Sequence, residues 1–453
     1  MSALEKALDY SRKLKIDECE VVHVKQKITT ARITDSEIFE LKQNLDENYG
    51  IRIIHGKKIA SVQTSNDKEI SNAIDDGLKI ISHLKPREFW KSLPHELNSK
   101  KNLEGVYDKK LDEISGSDIT DIAQSMINYS LDPKISAISG SLNIVSENFE
   151  IANSNGLAVL DKGTYVSGVI NCDSQIGKTE VSGIGQGCCR TLDKFSAEQI
   201  GTDAKTMCVN SINPQTCQSG EYSIIFEPYS VGELLAFVVA SNFNFKTFSE
   251  KRSCFSNNFN EKIAVDEFSL IDNPHISQGI GSKPFDDEGV ETKINTLIDK
   301  GIFKNTYCDL FDGFKENTET TGNATRPGSP MGRSAESIPV SMPHNLQVEP
   351  GNISQEDMIR DTKHGILVGR LWYTYAVNPI KGDFSCTARS GIRKIENGEI
   401  KSPGKSVRIV HNLTKLLQNI SMVGNNEKNV LQWASLPSIT PSIKVEKIKV
   451  NSI

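Results

Sequence analysis

The sequence contains no long apolar segment. Its longest uninterrupted apolar run, Leu234 to Ala240, is far shorter than the roughly 20 residues needed to cross a bilayer. The first residues form a charged amphipathic segment that lacks the apolar core of a signal peptide. We therefore expect a protein that does not span a membrane and that resides in the cytoplasm.

Patterned cysteine and excess positive charge are also missing. The nine cysteines are odd in number and lack zinc-ribbon spacing, so we expect reduced thiols. The net charge of -6 argues against direct nucleic-acid binding, which usually requires a basic excess. Charged residues make up 24% and hydrophobic residues 37% of 453 positions, which is typical of a folded protein with two or three domains.

Three common catalytic motifs are absent. The nearest two of the eight histidines, His83 and His95, are twelve positions apart, whereas a zinc-protease helix supplies two histidines about one turn apart. Gly404-Lys405-Ser406 imitates the end of a phosphate-binding loop. However, Glu399 occupies the position that needs glycine, and strand-like sequence follows. No Gly-x-Ser-x-Gly elbow occurs.

The first 216 residues combine helical and strand patterns. Ser2 and Glu5 form a capping box before an amphipathic helix. Strand-like alternation follows over Cys19 to Thr29, and residues 50–63 resemble a hairpin. Later runs alternate in the manner of an antiparallel meander. We predict an α+β lobe over 1–216, with sub-units at about 1–85 and 117–216 joined by a polar linker.

A second α+β lobe is predicted over 217–453. It opens with a strand, Tyr222 to Phe226, and a helix, Val231 to Phe243. Residues 313–336 are rich in glycine and polar residues and predict a long loop. The predicted fold class is therefore α+β, with two lobes that each pack helices on an antiparallel sheet.

Local signals mark three further features of the second lobe. Ser354 caps a helix that we expect to end at His364, with Gly365 as its C-cap signal. Asn397-Gly398 between apolar runs predicts a hairpin. The apolar alternation of the tail changes phase between Val445 and Ile448, which suggests a bulge.

Two clusters are candidate binding groups. Asp286-Asp287-Glu288 could bind a hard cation, or its carboxylates could cap backbone amides and a helix around Thr292 to Ile298. Asn323 and Arg326 could hold a peptide backbone or carboxylate, or could simply be solvated loop residues. The sequence leaves both pairs of alternatives open.

Several motifs, in order and at matching spacing, resemble the TldD/PmbA family, whose older name is modulator of DNA gyrase. They are Pro284-Phe285-Asp286-Asp287-Glu288-Gly289-Val290, Thr321-Gly322-Asn323-Ala324-Thr325-Arg326, Glu349-Pro350-Gly351, Gly382-Asp383-Phe384-Ser385 and Ile395-Glu396-Asn397-Gly398-Glu399-Ile400. The resemblance covers nearly the whole chain. It implies a TldD/PmbA-like fold and a role in a metallopeptidase.

The resemblance also implies that this chain lacks the zinc chemistry of the TldD branch. That branch carries His-Glu-x-x-x-His after a strand. Its two histidine positions fall here on Ala236 and Ser241, and its glutamate position falls on Phe237. No cysteine follows Cys386 to serve as a further ligand. The chain is thus similar to the PmbA (TldE) branch, and no metal ligand or cofactor is expected in it.

Three functional hypotheses follow. The first is a non-catalytic subunit that joins a zinc-bearing TldD-like paralogue to degrade or trim unfolded peptides. The second is a hydrolase that uses other residues, such as the acidic triad with a metal. The third is a stand-alone homodimer that binds peptides. A gyrase link implied by the family name would be indirect.

Overall fold

The computed structural model describes residues 2–95, 97, 103–336, 338–431 and 436–453. Within these ranges, helices and mostly antiparallel strands build a mixed α+β protein, which confirms the predicted class. None of the helices described is long and apolar enough to cross a membrane. We call residues 2–209 the N-terminal part and residues 220–452 the C-terminal part. The predicted boundary at 216/217 falls in the connection between the last helix of the first part and the first strand of the second.

The N-terminal part is organised around one six-stranded sheet. Its helices are α1 (Ala3–Lys13), α2 (Ile70–Ser82), α3 (Lys109–Asp112), α4 (Gly116–Ser130) and α5 (Ala197–Val209). Its strands are β1 (Glu18–Thr34), β2 (Glu37–His55), β3 (Lys58–Thr64), β4 (Ala137–Asn153), β5 (Ala158–Ser174) and β6 (Val181–Cys189). The order is β3-β2-β1-β4-β5-β6, and all pairs are antiparallel. Because β1 pairs with β4, the two predicted sub-units share a single sheet.

The start of the chain follows the capping pattern in its sequence. The Ser2 hydroxyl accepts a hydrogen bond from the Glu5 amide at 3.2 Å, and the Glu5 carboxylate accepts one from the Ser2 amide at 2.8 Å. This confirms the capping box. The buried stripe of α1 places Leu4 and Leu8 in one apolar cluster with Ile51 of β2. The cap thus fixes a helix that covers one face of the sheet.

The predicted hairpin over 50–63 is present as the pairing of β2 with β3, but both β1 and β2 are longer than the sequence predicts. β1 continues past Thr29 to Thr34, and β2 begins at Glu37 rather than near Gly50. Between 37 and 48 nearly all β2 residues are exposed, so the alternation that reveals a half-buried strand is missing there. Backbone pairing with β1 holds this segment in place.

The C-terminal part contains the remaining elements. Its helices are α6 (Pro228–Leu234), α7 (Phe245–Ser249), α8 (Leu310–Lys315), α9 (Gln355–Arg360) and α10 (Leu413–Gln418). Its strands are β7 (Gly220–Phe226), β8 (Leu270–Asp272), β9 (Asn295–Asp299), β10 (Ile302–Phe303), β11 (Ala324–Thr325), β12 (Val340–Ser341), β13 (Leu346–Val348), β14 (His364–Val368), β15 (Arg370–Asn378), β16 (Asp383–Ser390), β17 (Arg393–Glu396), β18 (Glu399–Pro403), β19 (Val407–Asn412), β20 (Ile420–Val423), β21 (Lys428–Leu431), β22 (Pro437–Thr440) and β23 (Ile443–Ser452).

These strands form two larger sheets and one small one. One sheet has the order β10-β9-β8-β13-β22-β21, and the other runs β15-β16-β19-β23-β7-β14-β17-β18 with β20 beside β23. β11 pairs with β12. The sheets are not purely antiparallel as predicted, because β14 pairs in parallel with β7 and β13 pairs in parallel with β22.

Two helix predictions in this part are wrong. The helix capped by Ser354 ends at Arg360, and His364 and Gly365 already belong to β14. The segment Thr292 to Ile298 is not a helix, because β9 occupies Asn295–Asp299 and pairs with β8. In both cases sheet pairing overrides a short local helical pattern.

Two turn and strand signals are confirmed. Asn397 and Gly398 have φ of 53° and 80° and connect β17 to β18, as expected of a tight two-residue hairpin turn. The predicted bulge in the tail is also present, since the pairing of β23 with β7 shifts between Val445 and Ile448. Lys447 lies at this shift with φ of 59°.

Candidate functional site

The segment that the resemblance aligns with a zinc helix has an unusual backbone. Pro228 occupies the first turn of α6, and a π-helical turn over Leu235–Val239 follows before a 3₁₀ turn over Ala240–Phe243. The amide of Ala240 donates to the carbonyl of Leu235, five residues earlier. In a π turn, two residues that are five positions apart in the sequence therefore lie about one turn apart on the same face of the helix. His-Glu-x-x-x-His places its two histidines five apart.

The side chains at the aligned positions do not fit a zinc ion. Ala236 and Phe237 are half-buried and pack against the apolar core of the C-terminal part, while Ser241 is exposed. Alanine has no lone pair, and phenylalanine can neither bind a metal nor accept a proton. No group of three or more His, Cys, Asp or Glu that could hold a metal is found in the described ranges. All nine cysteines are free thiols.

A buried carboxyl group lies directly before the π turn. Glu233 of α6 is buried, and its Oε2 accepts a hydrogen bond from the amide of Leu371 at 2.6 Å. Burial raises the pKa of Glu233 to about 8, against the opposing effects of that amide and of the nearby Arg370. Burial therefore favours the neutral form of the Glu233 carboxyl group over its charged form.

The acidic triad is fully buried and its oxygens are occupied. Asp286 accepts hydrogen bonds from the amides of Glu288, Val290 and Ala324 at 3.0, 2.9 and 3.1 Å. Burial, followed by the charge of Glu288, raises the pKa of Asp286 to about 8. These contacts match the turn-capping alternative, although without the helix that was expected after it.

Asp287 and Glu288 contact cations from different segments. Asp287 lies 2.9 Å from Lys283 Nζ and accepts a 2.6 Å hydrogen bond from the amide of Arg326. Burial acts to raise the pKa of Asp287, but Lys283, Arg333 and the amide of Arg326 together outweigh it, so the pKa is lowered. Glu288 lies 2.7 Å from Nη1 of Arg52, which belongs to the N-terminal sheet.

Arg326 is buried at the boundary between the two parts of the chain. Its Nη2 lies 2.6 Å from Glu20 Oε1 on β1, and the other Glu20 oxygen lies 2.7 Å from Arg52 Nη2. Arg326, Glu20 and Arg52 are each at most 3% exposed. The burial of Arg326 does not match the alternative of a solvated loop residue, and its contacts fix its loop against the N-terminal sheet.

Asn323 is also held inside the protein. Its Nδ2 donates to Asp272 Oδ2 at 2.6 Å and to the carbonyl of Met342 at 3.1 Å. The structure thus brings the acidic triad, Asn323 and Arg326 into one buried region, whereas Ala236, Phe237 and Ser241 lie in a separate element over 228–243. A peptide-contact role for Asn323 and Arg326 stays a prediction.

The comparisons with known proteins decide the family. Residues 219–452 match the PmbA/TldA metallopeptidase C-terminal domain, and residues 19–81 and 109–211 match domain 1 and the central domain of the same metallopeptidases. The chain belongs to the TldD/PmbA family. The family assignment made from the ordered motifs is therefore confirmed.

Individual TldD/PmbA proteins show the same relationship. TldE from Thermococcus kodakarensis has a similar structure, with a TM-score of 0.90, 24% identity and coverage of 99% of this chain and 100% of that one. A zinc metalloprotease TldD homolog of Saccharolobus solfataricus is 24% identical over 90% of this chain and 91% of its own length. A metalloprotease PmbA homolog of Buchnera aphidicola is 26% identical over 54% and 51%. This last match spans about half of that relative.

Sequence reasoning did not identify the charged residues that join the two parts of this TldD/PmbA protein. Arg333 lies 2.8 Å from Glu147 and 2.7 Å from Asp161, and Arg190 donates to carbonyl groups on both sides of the boundary. A weak signal was present at Arg370, a cation that interrupts the apolar sequence from Ile366 to Trp372. The surroundings of its side chain, however, depend on contacts between distant segments.

Proposed function

We propose that the chain is the non-catalytic, PmbA/TldE-like subunit of a TldD-type metallopeptidase that degrades or trims unfolded peptides. A paralogous TldD-like subunit supplies the zinc and the general base. The observation that carries the proposal is the helix over 228–243. It contains a π turn over Leu235–Val239 and has Ala236, Phe237 and Ser241 at the ligand and base positions that the family resemblance assigns.

The relatives include proteins named after both branches of the family. Similar proteins carry both PmbA and TldD names, and one of the TldD homologs is named a zinc metalloprotease. A metallopeptidase needs a metal-bound water and a base, and side chains such as alanine and phenylalanine supply neither. A separate subunit that bears the complete motif would provide both.

The test is reconstitution with the TldD-like paralogue. The purified chain alone should contain less than stoichiometric zinc and should not cleave an unfolded polypeptide. Mixing it with the paralogue should give a hetero-oligomer by size-exclusion chromatography and cleavage that a chelator abolishes. As a matched control, Ser241→Ala in this chain should leave the cleavage rate of the mixed complex unchanged, because Ser241 is not a metal ligand.

Other results would favour the remaining hypotheses. Chelator-sensitive cleavage by this chain alone would contradict the proposal and indicate an independent hydrolase. A stable homodimer that binds peptides and ignores the paralogue would indicate a stand-alone binding protein.

A further inference from the structure

A cavity of about 720 Å³ lies between the N-terminal and C-terminal parts. One wall comes from β4, β5 and β6 and includes Gly140, Asp173 and Ser182. The other wall comes from β15, β16 and the segment that precedes β19. The hydroxyl groups of Ser182 and Ser390 lie 3.0 Å apart and connect the two walls. The volume lies within the range usual for small-ligand sites.

Arg370 is the unusual group in this cavity. Only 5% of the residue is exposed, yet its side chain has no hydrogen bond or ion pair within the described ranges, and its buried Nε has no acceptor there. A buried cation normally has a partner, because removal from water is costly. Glu233 interacts electrostatically with Arg370 but forms no ion pair with it in the described ranges, and burial raises the pKa of Glu233. The guanidinium group of Arg370 is thus a buried, charged hydrogen-bond donor that is suited to bind an anion.

Two other cations extend the positive wall. The guanidinium carbons of Arg370 and Arg389 lie 4.6 and 4.8 Å from the ring centroid of Trp372, so both guanidinium groups contact one indole. Lys405 of the Gly404-Lys405-Ser406 segment also lines the cavity. No helix follows Lys405, because β19 begins at Val407, so the phosphate-binding geometry of a true loop motif is missing.

The opposite wall of the cavity is acidic and limits which ligands can bind there. Asp173 and Glu180 line it, and burial raises the pKa of Asp173. These carboxyl groups would repel a ligand that is negative throughout, such as a polyphosphate or a nucleic acid. They suit a ligand with one carboxylate beside Arg370 and amide or ammonium groups across the cavity. The end of a peptide has this distribution of charge.

We propose that this cavity binds the C-terminal carboxylate of short peptides, with Arg370 as the main donor and with Arg389 and Lys405 in support. A guanidinium can form two parallel hydrogen bonds to one carboxylate. The choice of peptides as the ligand class rests on the proposed function. Binding itself requires only this chain, so it can be measured without any partner.

The test is calorimetric titration of the purified chain with trialanine as the free acid and as the C-terminal amide. The free acid should bind at least about tenfold more tightly, since only it offers the charge-assisted hydrogen bonds. Arg370→Gln should lose at least about tenfold in affinity for the free acid and little for the amide. The matched control Arg393→Gln, which removes a cation paired with Glu227 outside this cavity, should bind like the wild type.

A second variant and a competing anion complete the test of this site. If Arg370→Gln does not fold, the double variant Arg389→Gln/Lys405→Gln should weaken binding of the free acid instead. Equal affinity for acid and amide would overturn the proposal, and so would inorganic phosphate that binds as tightly as the free acid. Because no paralogue is present, failure of peptide cleavage in the mixed complex would count against the proposed function and not against this site.

Discussion

The carboxyl group of Glu233 has almost no access to water. Burial raises its pKa to about 8 from an ordinary value of 4.5, and its charged or titratable neighbours include Arg370, Tyr229 and Cys386. Between these two pKa values the folded protein holds a proton that the unfolded chain has released. The contribution of Glu233 to the free energy of unfolding therefore falls as the pH rises from about 4.5 to about 8, and then becomes flat.

Glu233→Gln should remove this loss of stability. Glutamine keeps an acceptor for the Leu371 amide but cannot ionise. We expect the variant to match the wild type near pH 5 and to exceed its free energy of unfolding at pH 9 by on the order of 3 kcal/mol. Urea unfolding at both pH values measures the difference. The exposed Glu221→Gln is the control, and parallel pH profiles for Glu233→Gln and wild type would contradict the prediction.

At the scale of an element, the 228–243 segment separates backbone geometry from side-chain chemistry. Its π turn sets which positions share a face, while the side chains decide whether a metal can bind. The two properties can therefore be tested apart. If the backbone geometry of this segment suits a metal site, ligands introduced at these positions should create metal affinity.

The double variant Ala236→His/Ser241→His should bind Zn²⁺. Two imidazoles on one face form part of a site, so affinity should rise at least about tenfold over the single variant Ala236→His. Competition with a zinc-indicator dye measures both. Equal affinity of the single and double variants would mean that positions 236 and 241 do not share a face.

Local signals in the sequence predicted some elements well. The capping box at Ser2, the Asn397-Gly398 turn and the bulge near Lys447 depend on neighbours along the chain, and all three are present. The extension of β2 before Gly50 and the formation of strand β9 over Asn295–Asp299, where a helix was expected, depend on pairing with a distant strand. No local pattern contains that information.

Across the whole molecule, buried charges connect the N-terminal and C-terminal parts. Glu20 lies between Arg52 and Arg326, and Glu288 reaches Arg52 from the other part. Loss of one member leaves a buried charge without its partner, which costs far more than loss of an exposed ion pair. The interface between the two parts should therefore be sensitive to single substitutions.

Arg326→Ala should destabilise the protein by about 3–5 kcal/mol, because Glu20 would lose one of its two buried cations. Thermal melting measures the change, and Arg12→Ala, which removes an exposed pair with Asp9, is the control. Peptide affinity measured on the same variant separates the two interpretations of Arg326. An unchanged melting temperature with peptide affinity lowered about tenfold would favour direct peptide contact instead.

The candidate site was predictable only where motifs carry the information. The ordered motifs identified the family and located the positions of Ala236, Phe237 and Ser241 on a helix. They could not reveal that Asp286, Asp287 and Glu288 would be buried against cations and amides from distant segments. The lack of a hydrogen-bond or ion-pair partner for the Arg370 side chain, within the described ranges, also depends on how distant segments pack in the folded molecule.

The ion pair between Glu20 and Arg326 has a consequence for synthesis of the chain. The two residues are 306 positions apart in sequence. At ~5–20 residues per second, a ribosome adds Arg326 ~15–60 s after Glu20. For most of this interval Arg52 is already available to pair with Glu20, whereas Arg326, the second cation that pairs with Glu20, has not yet been synthesised. Closure of the boundary between the two parts is thus a late event, and a nascent chain stalled before residue 326 would keep this acidic surface open to water and to chaperones.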